Sequence, residues 1–148
     1  PLASQIKDNG GKIASDKPQW TLMVVSASVS GRTILYDVQF LKPEVWLMGP
    51  CIGDKDWKEQ NPAGLFSVPA DAKGSFESPA FTGAVPGGDG DGVRVYVKVP
   101  GYDWWKSEFI VISGKIVYRG TGGDQQRVAG SVGQKMYLNF ATGTGEIK

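Results

Sequence analysis

The sequence predicts an all-β fold, an antiparallel β-sandwich, on three observations. Short runs rich in Val, Ile, Tyr, Phe and Trp are punctuated by 21 glycines and nine prolines, which is how strands separated by tight turns read. Several of these runs alternate apolar and polar residues, and no window of eleven or more holds a helical period. At 148 residues and 41% hydrophobic, the chain has enough apolar material for a core and is not a disordered composition.

Taken in order, residues 1–19 are polar, with Gly10-Gly11 and Pro18, and read as a leader or linker. Residues 20–148 then read as one β-sandwich domain, with 20–40 alternatively the end of a preceding domain. Thr21 to Val29 and Thr33 to Phe40 flank Ser30-Gly31 as a hairpin. Val45 to Met48, Leu65 to Val68 and Gly74 to Phe81 are the next strands. Val93 to Val99 alternates strictly, which predicts a half-buried strand with Arg94, Tyr96 and Lys98 on a wet face. Glu108 to Ile112 and Lys115 to Arg119 flank the turn Ser113-Gly114, and Lys135 to Phe140 closes the series.

Composition excludes whole classes of chemistry. Sixteen basic and 15 acidic residues give a net charge of +1, with no basic run to attract nucleic acid. Cys51 is the only cysteine, so no internal disulfide forms and a Cys-based metal site is not expected. There is no histidine, which removes the commonest general base, the commonest metal ligand and every Ser-His or Cys-His nucleophile. Cys51 therefore reads as a half-buried small apolar residue. No apolar run approaches the roughly 18 residues of a spanning helix. The chain begins Pro1-Leu2-Ala3 without Met, so the lack of a signal peptide says nothing about export.

The five tryptophans carry most of the remaining information. Trp104 and Trp105 are adjacent, and neighbours in extended backbone point to opposite faces, so one core cannot take both. Trp57 lies within Asp54-Lys55-Asp56-Trp57-Lys58, too charged for a core segment. Exposed indoles beside polar side chains suit sugars, whose C–H-rich faces stack on the ring while the hydroxyls find polar partners. The other reading, in which the rings fill or cap the sandwich as expected for Trp20 and Trp46, stays open.

Three further segments bear on chemistry. Pro86 to Gly92 has two carboxylates and lacks the spaced oxygen donors of a calcium loop, so it reads as a turn. Arg119 to Arg127 is Gly-rich but has no Gly-Lys-Ser/Thr ending and no following helix; its polar residues either hold the loop or touch a ligand. Glu108 beside Phe109 is the one carboxylate in an apolar setting, and it reads as a surface residue of an alternating strand. No pair of carboxylates stands out for glycoside hydrolysis, and neither catalytic residues nor a cofactor are expected.

Val45-Trp46-Leu47-Met48-Gly49, then Trp57, Leu65-Phe66 and Gly74-Ser75-Phe76, resembles the opening of starch-binding-type modules. Asp103-Trp104-Trp105-Lys106, Gly114 to Gly120 and Tyr137-Leu138-Asn139-Phe140 are similar to the SusE/SusF-like surface lipoproteins of Bacteroidetes. The resemblance spans roughly residues 44–147. It implies an antiparallel Ig-like β-sandwich, a non-catalytic carbohydrate-binding module of a glycan-uptake system, and a ligand site at Trp57, Trp104 or Trp105, and Lys106; with Tyr102, which precedes the tryptophan pair on the same loop, Trp57, Trp104, Trp105 and Lys106 are the candidate ligand-binding residues. It also implies an oligosaccharide or polysaccharide partner and other outer-membrane uptake proteins nearby. The location implied is the outer membrane, at the cell surface or periplasmic face, held only through a lipid anchor outside these residues. The competing expectation is an Ig-like spacer or protein-interaction domain with its tryptophans buried.

Overall fold

The computed structural model describes residues 6–120 and 122–148; residues 1–5 of the expected leader and Thr121 of the Gly-rich segment lie outside them. The chain forms two compact units, Pro1–Pro43 with Ala70–Ala72, and Glu44–Pro69 with Lys73–Lys148.

The first unit carries two antiparallel ribbons. Strand β1 (Ile6–Asp8) pairs with β2 (Ile13–Ser15) across a turn containing Gly10 and Gly11, both at positive φ. Strand β3 (Leu22–Ser30) pairs with β4 (Thr33–Leu41) along its whole length. Gly31 takes φ 62 in the connecting turn, a conformation glycine adopts without steric cost. Cross-strand partners share a face. Met23 opposes Phe40 and Val25 opposes Val38 on one side, whereas Ser26 opposes Asp37 and Ser30 opposes Thr33 on the alternate register positions or beyond. Trp20 is half-buried and donates its indole N–H to the Asp71 carbonyl at 3.0 Å.

The second unit is the antiparallel β-sandwich expected from the strand pattern. Its strands are β5 (Val45–Met48), β6 (Phe76–Glu77), β7 (Arg94–Val97), β8 (Glu108–Ile112), β9 (Lys115–Tyr118), β10 (Met136–Asn139) and β11 (Thr144–Ile147). They are hydrogen-bonded in the order β5-β7-β8-β9-β11-β10-β6. Single bridges from Leu65 to Trp46 of β5 and from Ser67 to Glu77 of β6 carry hydrogen bonding between the two outer strands, so neither edge is left as an open template. Leu47, Phe76, Phe81, Tyr96, Met136 and Leu138 are fully buried and form the heart of the core.

Several strand expectations change in detail. Leu65 to Val68 contributes only bridges, and Gly74 to Phe81 contributes only Phe76–Glu77. Strand β7 has no wet face: Arg94 and Tyr96 are both buried. Tyr96 tolerates this because its hydroxyl accepts the Gln60 N–H at 2.7 Å, and Arg94 because carboxylates meet it. Glu108, expected at the surface, is fully buried for the same reason, since its neighbours in space are arginines. Strand β11 was not foreseen, because Thr-Gly-Glu-Ile lacks a strand-like composition. Gly145 is required there: a Cβ would come within 2.7 Å of the Val111 side chain.

Candidate functional site

Trp57 is placed by a loop that follows β5. Gly49 opens it, a 3-10 turn spans Pro50–Ile52, and the buried Asp54 then folds back on the chain. Its carboxylate accepts the Asp56 N–H at 3.0 Å and the Lys58 N–H at 2.8 Å. These bonds bracket Trp57, which sits at φ 55, a conformation bulky residues rarely take. The indole lies against Gly49, where a Cβ would approach the ring to 2.5 Å. Cys51, in the same loop, is buried, and burial pushes its thiol up to about 11, so it behaves as the apolar residue expected.

Trp104 and Trp105 sit on a 3-10 turn, Trp104–Ser107, between β7 and β8. Glu59 ties this turn to the first loop, accepting the Trp104 N–H at 3.4 Å and pairing with Lys98 at 2.6 Å. The Trp57 and Trp104 rings lie 6.4 Å apart at 16° to each other, and Trp104 packs on Tyr96 at 6.3 Å. Trp105 has the Lys106 ammonium 5.1 Å and the Arg119 guanidinium 5.9 Å from its ring centre. Trp57 and Trp105 are each 38% exposed.

Beneath the rings lies a cluster of three arginines and two carboxylates. Arg127 donates to both oxygens of Glu108, at 2.8 and 3.0 Å, and to Asp124 at 3.1 Å. Arg94 donates to Asp124 at 3.3 Å and to Glu108 at 3.5 Å. Its guanidinium carbon lies 5.2 Å from the Trp57 centroid and 5.6 Å from that of Trp104. Arg119 donates to the Trp105 carbonyl at 3.3 Å, and its Nε is 3.3 Å from Glu108, near enough for charge attraction but misaligned for a hydrogen bond. Desolvation pushes the Asp124 carboxyl up, yet the hydrogen bonds and charges of Arg94 and Arg127 outweigh it and hold the group below the usual carboxylate range. Burial likewise opposes the charge on Arg127, but Glu108 and then Asp124 raise its affinity for the proton.

Together these parts form an open cleft of about 240 Å³ lined by Trp57, Arg94, Trp104, Trp105, Arg119 and Asp124. Of the expected site residues, the three tryptophans converge here. Lys106 caps the Trp105 ring and pairs with Asp103 at 3.1 Å, while Tyr102 is exposed on the preceding turn, outside the lining. Arg94, Arg119 and Asp124 were not foreseen. The available signal was an arginine in a Val-rich strand and a glutamate opening an apolar one, both costly to bury unless paired. The Gly-rich segment thereby finds its work, since Asp124 and Arg127 hold it to β7 and β8. Among the described residues, no group of three or more His, Cys, Asp or Glu side chains is placed to hold a metal ion.

A larger groove of about 670 Å³ runs beside Pro86, Val111, Ile112 and Val128, but no aromatic ring lines it. The tryptophan cleft is the candidate site on chemistry rather than size.

Comparison with known proteins shows the family. Residues 44–146 match the family described as SusF/SusE starch specific CBMs. The outer membrane protein SusF of Bacteroides thetaiotaomicron is 43% identical over 97% of this chain and 28% of its own length. The crystal structure of SusF from the same organism superposes with a TM-score of 0.80 at 39% identity, covering 99% of this chain and 32% of that one. The chain thus spans about a third of the length of these relatives. A match over most of the sandwich, together with a relative well above the identity at which fold is shared, shows the kinship: the chain belongs to the SusF/SusE family of starch-specific carbohydrate-binding modules, which bind glycans and do not transform them.

Proposed function

We propose that the cleft binds a glucan oligosaccharide, with sugar faces stacked on Trp57, Trp104 and Trp105. The observation that supports this most is the convergence of three indoles from two loops with Asp124 and Arg119 at their rim. The ring faces supply the apolar contact, Asp124 is a hydroxyl acceptor kept ionised, and Arg119 and Lys106 are donors at the margin. Tyr102 extends the aromatic surface to a longer chain. No proton transfer is needed, which suits a chain without histidine. The whole protein, on this reading, holds glycan at the outer membrane, as the name of its relative suggests. A lipid anchor outside these residues and other uptake proteins complete the assembly.

Calorimetric titration with maltoheptaose tests the proposal. Binding is expected, with Trp57→Ala and Trp105→Ala each lowering affinity at least tenfold while the melting temperature moves little, because both rings are partly exposed. The second reading, an Ig-like spacer or protein-interaction domain, draws on the cations already lying over Trp105. Silence across maltose-series and other oligosaccharides would favour it over glycan binding.

A further inference from the structure

Tyr137 lies outside the tryptophan cleft and repeats its local chemistry. Strand β10 alternates, so Met136 and Leu138 are buried while Tyr137 faces the other way. Its cross-strand partners there are two carboxylates, Glu77 of β6 and Glu146 of β11. The Lys148 ammonium lies 4.7 Å from the Tyr137 ring centre and pairs with Glu146 at 2.6 Å. The cleft holds the same set of ring, cation and carboxylate: Lys106 is 5.1 Å from the Trp105 ring centre and 3.1 Å from Asp103. A groove of about 340 Å³ opens at Tyr137, lined also by Ser75, Gly114, Thr144, Gly145 and Glu146. It is larger than the cleft of about 240 Å³. Gly114 sits in the β8–β9 turn, whereas Glu108 and Arg119, beneath the cleft, close the other end of that hairpin. Strand β8 has five residues, so the two places are roughly 15 Å apart along it.

We infer that this groove is a second, weaker glycan site, which takes a short stretch of a neutral glucan chain. The inference rests on the reading that the module takes glucans, but not on the tryptophan cleft being where it takes them. The Tyr137 ring supplies the apolar contact for a sugar face. Among the described residues, neither the Tyr137 nor the Ser75 hydroxyl has a hydrogen-bond partner, so both are left for sugar hydroxyls, and Glu146 is an acceptor beside them. Glycine at 114 keeps the groove open, since a Cβ there would meet nothing within 4 Å. Charge selects a neutral ligand. Lys135 closes on Glu77 and Lys148 on Glu146, each at 2.6 Å, so the groove has no uncompensated charge to recruit an ionic one. One ring in place of three makes the site weak on its own. Its effect falls on long chains, where a second contact on a glucan already held acts at high effective concentration.

Residue-resolved NMR of the 148-residue chain, titrated with maltoheptaose, tests the inference. The amides of Ser75, Gly114, Tyr137 and Glu146 should shift and saturate, with a Kd in the millimolar range. Amides of Trp57 and Trp104 report the tryptophan cleft in the same spectra, so failure at one place is read separately from failure at the other. Tyr137→Ala should abolish the groove shifts and leave those of the cleft, while Trp105→Ala should weaken the cleft and leave the groove. Glu146→Gln, which keeps the side chain's size, should weaken the groove about fivefold and serves if Tyr137→Ala loses its dispersed spectrum. Groove amides that stay still at millimolar maltoheptaose would overturn the inference. So would groove shifts that disappear together with those of the cleft in Trp105→Ala, or that persist unchanged in both Tyr137→Ala and Glu146→Gln.

Discussion

Trp57 shows how much structure stands behind one ring. Its φ of 55 is a conformation that costs on the order of 1–3 kcal/mol and persists only where surroundings enforce it. Asp54 enforces it by gripping the backbone at Asp56 and Lys58, and Gly49 makes room for the indole. Gly49→Ala should therefore push the ring off its seat as well as strain a backbone at φ 84. We expect destabilisation of about 1–3 kcal/mol and, if the cleft binds glycan, an affinity loss like that of Trp57→Ala. Denaturant melts and calorimetry together check this; a variant with parental stability would show that the ring does not rest on Gly49.

At the level of elements, β7 and β8 are pinned to the 119–127 segment by charge. Glu108 has no solvent to fall back on, and Arg127 contacts both of its oxygens. Replacing such a buried partner leaves guanidinium groups uncompensated, which costs about 3–5 kcal/mol. Glu108→Ala should lose stability on that scale, measured by urea unfolding, and loosen the seat of Trp105 through Arg119. Glu146→Ala, which removes only the exposed pair with Lys148, should unfold at nearly the parental midpoint. The period-two pattern made most strands legible, but it assigned Arg94 and Glu108 to solvent. Alternation reports which side chains share a face, and the dryness of that face depends on residues elsewhere in the chain, such as Asp124, 30 positions from Arg94.

For the whole molecule, stability should be indifferent to pH across the neutral range. There is no histidine, the side chain whose ordinary range spans neutrality, and burial holds the Cys51 thiol up at about 11. Asp124 is held low in the fold by Arg94 and Arg127. A depressed carboxylate contributes stability that is complete above its unfolded pKa, about 3.9, and is lost as pH falls through the folded value. Melting temperature should stay flat from pH 5 to 8 and decline below about pH 4, with Asp124→Asn less stable at neutrality and shallower on the acid side. A melting transition within pH 6–7 would contradict this.

Strand periodicity, turn glycines and the absence of histidine determined, without coordinates, that the chain is all-β and carries no histidine-based chemistry. Order along the chain also singled out Trp57, Trp104 and Trp105, because adjacent indoles and indoles among charges do not fit a core. The tertiary structure decided what surrounds them. Arg94 on β7, Glu108 on β8 and the trio Arg119, Asp124 and Arg127 on the Gly-rich segment look unrelated in one dimension; folding brings them within hydrogen-bonding or ion-pair distance. The reason is physical: backbone geometry imposes a local period that any strand displays, whereas a buried charge is tolerable only beside its counter-charge, and that partner is chosen by sheet order rather than by sequence.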